Sequence, residues 1–545
     1  MFRKKEKYDM LEIADILKKY EDEGYLKGED LVSMLVETNR NADPNKTVLA
    51  DPYRSVTYPE LWSEIESCTR RLAGMGIRKD CNVLLQMPNT IEYVVTLFAL
   101  FRLGAPPVLM LLPHREREII AVGQLTEAEA YISTADYMGF DYSEMIKGIT
   151  DSLPSLKTVI IQGLAEDYSD EKIKWYSWAD SSMETEPDIC TDCRSTALYL
   201  LSGGTTGVPK VIPKIHECYC YNADVCARRC GYDKDTVYMC VLPASHDLGL
   251  ANPGILGALF SGGTAVLCET SSFDEAFDMI EEYGVTSTTL VPAIIKVWAE
   301  NIDWYDADLS SLEHIMFGAA RIDLPDLKKI IDKLGVKVQQ AYGLGEGITC
   351  CTKFTDDEEV VFGTQGSPVS EGDEVRILDE DGNALPVGEA GELAEKGPYT
   401  FMGYYRNPER NKECFTEDGF FRTGDRAKLT ADGNIVILGR TVEQINRAGE
   451  NVIPSEIEDF LMKHPDIKNA SVFGIPDEKL GEKTAACIIT DNAALDRGEI
   501  CSFMLSIGAA AYKIPDVLVN CDSFPLKNVG KVDKAALKKR IMDQI

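Results

Sequence analysis

The chain has 545 residues, an apolar fraction of 45% and a formal net charge of −33, from 56 basic and 89 acidic side chains. At roughly 150 residues per domain that length suggests about three or four domains with sizeable cores. A negative field of this size repels nucleic-acid backbones and anionic lipid headgroups, so neither nucleic acid nor a membrane is expected as a partner.

The first residues, MFRKKEKYDMLEIADILKKYEDEGY, hold no apolar run of signal-peptide length, which predicts no export signal and a cytoplasmic location. Sixteen cysteines in such a chain fit free thiols in a reducing compartment. Leu61, Ile65, Cys68 and Leu72 recur on one face of a predicted helix. Val83–Met87 reads as a buried strand, Thr90–Arg102 as a helix and Pro107–Leu112 as a second strand. Tyr93–Pro113 is the most apolar stretch, but Arg102, Gly104, Pro106 and Pro107 break it, so it is helix, turn and strand and not a membrane span. Tyr131–Ser133 and Thr158–Ile161 add strands. Strands alternating with helices of this length predict parallel sheets covered by helices. Cys190 and Cys193 form a C-x-x-C with no second pair at zinc-ribbon spacing.

Leu200–Lys210, LLSGGTTGVPK, is the most informative segment. Gly203, Gly204 and Gly207 let backbone amides turn toward an anion. Ser202, Thr205 and Thr206 add hydroxyl donors, and Lys210 adds a mobile charge. This is a phosphate cradle, but the lysine precedes Val211 and not Ser or Thr, which separates it from the common P-loop. Pro209, Val211 and Ile212 predict a strand after it.

Gly318, Ala319 and Ala320 leave a bare strand end after Ile315–Phe317, where a base edge could meet backbone groups. In Ala341–Gly347, Tyr342 could lie flat on a purine beside Gly343, and Glu346 could hold a Mg2+ that bridges phosphates. Alone, the same segment reads better as a Gly-rich turn with a solvated Glu. The texture changes near residue 360: Glu374–Leu378 and Gly391–Ala394 flank the turn Asp381-Gly382-Asn383, and further Asp-Gly turns follow, so an antiparallel Gly-rich piece is predicted over about 360–438. Asp425 in Arg422–Asp425 could accept both ribose hydroxyls, and Arg440 supplies a cation where a new pattern begins. After it come a helix opened by Pro454, strands at Asn469–Gly474 and Thr484–Thr490, and a helix striped by Ile500, Phe503, Met504 and Ile507. Gly530-Lys531 sits on a late loop of small residues.

In order, LSGGTTGVPK, PASHD (243–247), GAA, YGLGEG, TGD, GR and GK closely resemble the adenylate-forming superfamily of acyl-CoA synthetases, adenylation domains and luciferases. The resemblance covers essentially the whole chain and is tightest to stand-alone 2,3-dihydroxybenzoate–AMP ligases of siderophore and nonribosomal-peptide pathways. LFALFRLGAPPV, VPA at 291–293, TQG at 364–366, GYY at 403–405, Glu443–Arg447 and AAYKIPD carry it further.

The resemblance implies an α/β fold: a large N-terminal domain (1–438) of two helix-covered sheets with a small β-barrel-like subdomain, then a small mobile α+β lid (439–545). It implies ATP- and Mg2+-dependent formation of an acyl-AMP with release of pyrophosphate, then transfer to a carrier-protein phosphopantetheine thiol or to CoA. Carried over residue by residue, Ser202–Lys210 would hold the β- and γ-phosphates, Glu346 the Mg2+, Tyr342 the adenine, Asp425 the ribose and Arg440 ribose or phosphate. Lys531 would touch the attacking carboxylate and the α-phosphate. Val442 stands at the hinge position, where the family usually has Lys or Asp.

His246, Asp247, Leu248, Asn252, Ile348 and Thr349 would line the acid pocket. Aryl-acid ligases read His-Asn-Tyr where this chain reads His246-Asp247-Leu248, and have Ser or Cys where it has Asn252. Asp247 leaves three readings open: pairing with a substrate ammonium, as in amino-acid-activating domains; protonation or bonding to a nearby donor, with an ordinary aryl acid bound; or an aromatic amine or pyridine-type acid. The whole-chain resemblance favours an aryl or heteroaryl acid.

Overall fold

The structure is a computed structural model that describes residues 3–166, 168–202, 209–318, 324–440, 445–447, 450–477, 481–507, 509, 513–526 and 532–542. Two compact units emerge: Met1–Glu374 with Glu395–Gly419, and Val375–Ala394 with Phe420–Ile545.

The first unit holds two large sheets that are parallel inside and antiparallel only at their edges. In one, Thr47–Ala50, Thr264–Leu267, Val237–Cys240, Ser287–Leu290, His314–Gly318 and Lys337–Gly343 run parallel as neighbours. Ser55–Thr57 closes one edge, and Thr349–Cys351 with Ser367–Pro368 closes the other, all antiparallel. In the second, Thr196–Leu201, Pro107–Leu109, Val83–Gln86, Ala130–Thr134, Thr158–Gln162 and Lys174–Ser177 are parallel neighbours, and Val211–Ile215 pairs antiparallel with Thr196–Leu201. Interior strands such as Val83–Gln86 and Ala130–Thr134 are buried along their whole length, as expected of a sheet covered on both faces.

The helices follow their apolar patterns. Tyr58–Gly74 buries Leu61, Ile65, Cys68 and Leu72 on one face, and Glu60 accepts from the Thr57 backbone N and hydroxyl at its start, both at 2.8 Å. Ile91–Leu103 is apolar all round and buried nearly all round; it stops at Gly104, whose φ of 63° is open to glycine. All sixteen cysteines are free thiols and most are buried. Burial pushes Cys68 up to about 12. Among the described residues, no helix is long and apolar enough to cross a membrane.

The second unit contains the β-rich piece predicted from its turns. Four strands lie in the order Glu374–Leu378, Gly391–Lys396, Phe421–Leu429, Ile435–Arg440. A second sheet follows, with Ile467–Asp477 antiparallel to Gly481–Thr490 and Val517–Asn520 parallel to it. Period-two alternation builds a core on each face. Val472, Ala486 and Ile488 pack with Ile457, Leu461, Ile500 and Met504 on one side, while Phe473, Ala485 and Cys487 pack with Leu537 and Ile541 on the other.

Candidate active site

The carboxyl ends of parallel strands carry several of the sequence-predicted residues, which is where open α/β sheets place ligands. His246 and Asp247 follow Val237–Cys240; Gly318 ends His314–Gly318; Tyr342 and Gly343 end Lys337–Gly343. Gly318 pairs with Ala341, and a Cβ there would come within 2.5 Å of the Ala341 carbonyl oxygen. The approach of these two strand ends therefore requires glycine at 318.

The glycine-rich segment lies in sequence between two antiparallel partners at a sheet edge, Thr196–Leu201 and Val211–Ile215. Leu201 lies opposite Val211. One residue further, the Ser202 N–H donates to the Lys210 carbonyl at 3.0 Å and the Lys210 N–H donates to the Ser202 hydroxyl at 3.1 Å. These reciprocal bonds clasp the neck of the loop. Gly203, Gly204, Thr205, Thr206 and Gly207 lie outside the described residues, as do Ala319, Val442 and Lys531.

Beyond the neck, the Lys210 ammonium sits 4.7 Å from the Tyr404 ring centroid, and the Tyr404 hydroxyl donates to Glu346 Oε1 at 2.8 Å. The Tyr405 N–H donates to the Val211 carbonyl at 2.9 Å, which moors the Gly403–Tyr405 segment beside the hairpin. A cation, a phenol and a half-buried carboxylate thus converge from three distant stretches of chain. Glu346 offers carboxylate oxygen, the donor type that a hard cation such as Mg2+ takes, so the residues present fit that ion.

Beneath Glu346 lies a buried pair of opposite charge type. The Lys214 ammonium, almost fully buried, donates to the carbonyls of Gly345 at 3.0 Å and Tyr399 at 3.4 Å. Glu395 is fully buried; its Oε2 accepts from the Thr400 hydroxyl at 2.5 Å, and its Oε1 has no hydrogen-bond partner among the described residues. Burial pushes the Glu395 carboxyl up to about 7, and the Thr400 bond and Lys214 pull against that rise.

Asp247 is buried and satisfied from within the protein. Tyr219 donates its hydroxyl to Oδ1 at 2.6 Å, and Asn252 donates its amide to Oδ2 at 2.7 Å. Asn252 Oδ1 in turn accepts from Asn222 at 2.8 Å and from the Thr349 hydroxyl at 3.4 Å. The Thr349 N–H donates to the Tyr399 hydroxyl at 3.1 Å, and Ile348 beside it is fully buried. Leu248 donates its N–H to His246 Nδ1 at 3.3 Å. Of the three readings of Asp247, this geometry matches bonding to nearby neutral donors.

In the second unit Asp425 is buried on the strand Phe421–Leu429, directly opposite Arg440 in the antiparallel register. The Asp425 N–H donates to the Thr423 hydroxyl at 3.0 Å, and that hydroxyl donates to the Leu393 carbonyl at 2.9 Å. Leu526 and Val532 pair antiparallel, bracketing the segment that holds Lys531.

Sequence reading missed Tyr404, Lys214, Glu395 and Tyr219 as contributors. The GYY string at 403–405 contained Tyr404, and the strand after Lys210 contained Lys214, without a local signal of what they would touch.

The model of the AMP-binding enzyme family matches residues 36–405, and that of the AMP-binding enzyme C-terminal domain matches residues 456–531. The 2,3-dihydroxybenzoate-AMP ligase of Bacillus subtilis is 40% identical over 492 residues, covering 89% of this chain and 90% of that protein. The salicyl-AMP ligase / salicyl-S-ArCP synthetase of Mycobacterium tuberculosis is 36% identical over 533 residues, covering 97% and 94%. The apo structure of Mycobacterium smegmatis MbtA superposes with a TM-score of 0.73 at 36% identity, covering 97% of this chain and 98% of that one.

Proposed function

The chain belongs to the AMP-binding enzyme family, and we propose that it is an adenylate-forming ligase that activates an aromatic carboxylic acid as its acyl-AMP and passes the acyl group to a thiol. The observation that carries this reading is the convergence of Lys210, Tyr404 and Glu346 beside the clasped glycine-rich hairpin. A carboxylate is already a nucleophile, so the reaction needs no general base. What it needs is charge neutralisation around a crowded α-phosphate and a departing pyrophosphate, with the acid and ATP held in line.

On this reading the 202–210 loop and Lys210 hold the β- and γ-phosphates. Glu346, oriented by Tyr404, is the side chain that would hold Mg2+, which would supply positive charge to neutralise the phosphates. Tyr342 and Gly318 border the adenine, Asp425 and Arg440 take the ribose side, and Lys531 contacts the reacting carboxylate and α-phosphate. The acid lies against His246, Asp247, Leu248, Asn252, Ile348 and Thr349. Residues 1–438 form the ATP- and acid-binding part and 439–545 the lid. An aromatic acid is favoured because Asp247 finds both its donors in Tyr219 and Asn252 and needs no substrate ammonium.

The name of the salicyl-AMP ligase / salicyl-S-ArCP synthetase, at 36% identity, supports a carrier protein over CoA as the acyl acceptor, and the free thiols support the cytoplasm as the setting. The test is acid-dependent ATP–pyrophosphate exchange with 2,3-dihydroxybenzoate, salicylate, anthranilate, pyridine carboxylates and proteinogenic amino acids. Exchange with at least one aromatic acid is expected. Exchange confined to amino acids, or none at all, would sink the reading.

A further inference from the structure

We propose that Lys214 is a positioning residue for the divalent cation: by holding the Gly345 carbonyl from beneath, it sets the place from which Glu346 presents its carboxylate. The inference rests on the reading of Glu346 as the metal-holding side chain of an adenylate-forming ligase.

Glu346 stands at the tip of a tight turn. Gly343 lies opposite Thr349 in the antiparallel pairing of Lys337–Gly343 with Thr349–Cys351, so the chain reverses within residues 344–348. Inside the turn, the Leu344 N–H donates to the Ile348 carbonyl at 3.2 Å, and the Gly347 N–H donates to the Leu344 carbonyl at 3.1 Å. These bonds close the turn on itself and do not fix its tip. The tip is held from outside, at two consecutive carbonyls. That of Gly345 accepts from the Lys214 ammonium at 3.0 Å, and that of Glu346 accepts from the Phe401 N–H at 2.6 Å. The flanking residues Gly345 and Gly347 bring no side chain of their own to anchor the carboxylate between them. The floor is close: a Cβ on Gly347 would come within 2.1 Å of Glu395 Oε1.

An ammonium is a costly choice for this place. Lys214 is only 2% exposed. For stability alone, an apolar side chain of similar volume would serve as well, because desolvating the charge offsets much of what its bonds return. What the ammonium adds is direction. One atom joins the Gly345 carbonyl to the Tyr399 carbonyl, at 3.4 Å, from a distant stretch of chain. The Tyr399 hydroxyl then accepts from the Thr349 N–H at 3.1 Å and donates to Asp373 Oδ2 at 2.7 Å. The turn therefore has two braces. Lys214 holds it at Gly345, beside the metal-holding carboxylate, and Tyr399 holds it at Thr349, on the acid side. Groups that orient a metal-holding side chain are typically worth about 10–100-fold in metal affinity.

The test is Mn2+ binding to the full chain at fixed α,β-methylene-ATP, followed by electron paramagnetic resonance, for the unmodified chain, Lys214→Met and Tyr399→Phe. ATP–pyrophosphate exchange on the same proteins gives KM for an aromatic acid. Lys214→Met is expected to weaken Mn2+ binding at least tenfold. Tyr399→Phe keeps the carbonyl that Lys214 bonds, so it is expected to weaken Mn2+ binding less and to raise KM for the acid instead. A purely structural role for Lys214 would lower the melting temperature and the active fraction without changing the Mn2+ dissociation constant of the folded protein. A loss below tenfold in folded Lys214→Met overturns the proposal, as does an equal or greater loss in Tyr399→Phe. If Lys214→Met does not fold, Lys214→Gln, whose side chain is one atom shorter, decides by the same criterion. Acid-dependent exchange by an unmodified chain that holds Mn2+ no tighter than the nucleotide alone defeats this inference and leaves the proposed function standing. No exchange with any aromatic acid defeats both.

Discussion

Tyr404 touches two charges at once, carrying Lys210 on its ring and donating its hydroxyl to Glu346. Tyr404→Phe keeps the ring and removes the donor. A lost hydrogen bond to a charged group is worth about 1.5–3 kcal/mol, so KM for MgATP should rise at least tenfold while the fold survives; an unchanged KM would remove Tyr404 from the site. Lys531 belongs to a different step on the proposed reading. Lys531→Ala should abolish exchange and leave ATP binding within a few-fold, measured by equilibrium titration, and equal losses in both would refute its role. Glu395 makes a prediction about stability. Burial pushes its carboxyl from 4.5 up to about 7 in the folded chain. Between those values the folded protein holds a proton that the unfolded chain has released. Its stabilising contribution is therefore present at low pH and is lost as pH rises through about 7, by up to about 3 kcal/mol over the whole span. Glu395→Gln should remove that slope, so urea unfolding should show the variant gaining on the parent between pH 5 and pH 8. Parallel stability profiles would contradict it.

At the scale of elements, the two strand ends at Gly318 and Ala341 pass too close for a side chain. Gly318→Ala puts a Cβ 2.5 Å from the Ala341 carbonyl oxygen, and backbone has to move. Overpacking of this kind typically costs about 1–3 kcal/mol, so a lowered melting temperature and a weakened affinity for ATP are expected together; an unchanged ATP affinity would separate this strand end from the nucleotide. This requirement is half legible in the sequence. A glycine after Ile315–Phe317 announces a bare strand end, but the partner that makes it obligatory comes from a strand more than twenty residues on. The same division runs through the site. The segment 202–210 is readable because its chemistry is written contiguously: hydroxyls, glycines and one lysine between two apolar runs. The helix Ile91–Leu103 and the buried strands are readable because hydrophobic periodicity is local. Glu395 is not, because an acidic residue in GELAEK reads as the solvent face of a strand, and only packing of the Gly345–Ile348 turn against it buries the carboxylate. Asp247 shows the third case. Its departure from the aryl-acid pattern is visible in the sequence, but its donors, Tyr219 on a helix and Asn252 beyond a short turn, appear only on folding.

At the scale of the whole molecule, the net charge of −33 sets the field in which two anionic substrates must approach. Lys210 and Lys214 are local cations, but Lys214 is buried and committed to backbone carbonyls, so it does little for long-range attraction. MgATP and an aromatic carboxylate therefore diffuse against a repulsive background and gain their binding energy only at contact. Salt separates these two ranges. Screening shortens the reach of surface charge from about 30 Å at 0.01 M to about 10 Å at 0.1 M, while contacts inside a partly buried site are screened far less. Raising ionic strength over that interval at fixed free Mg2+ should thus lower KM for both substrates several-fold and leave kcat nearly constant. A basic funnel would give the opposite slope, with KM rising as salt weakens the attraction. Initial-rate measurements across the series distinguish the two signs, and a rising KM would mean that the site's own cations, not the acidity of the whole chain, govern substrate capture.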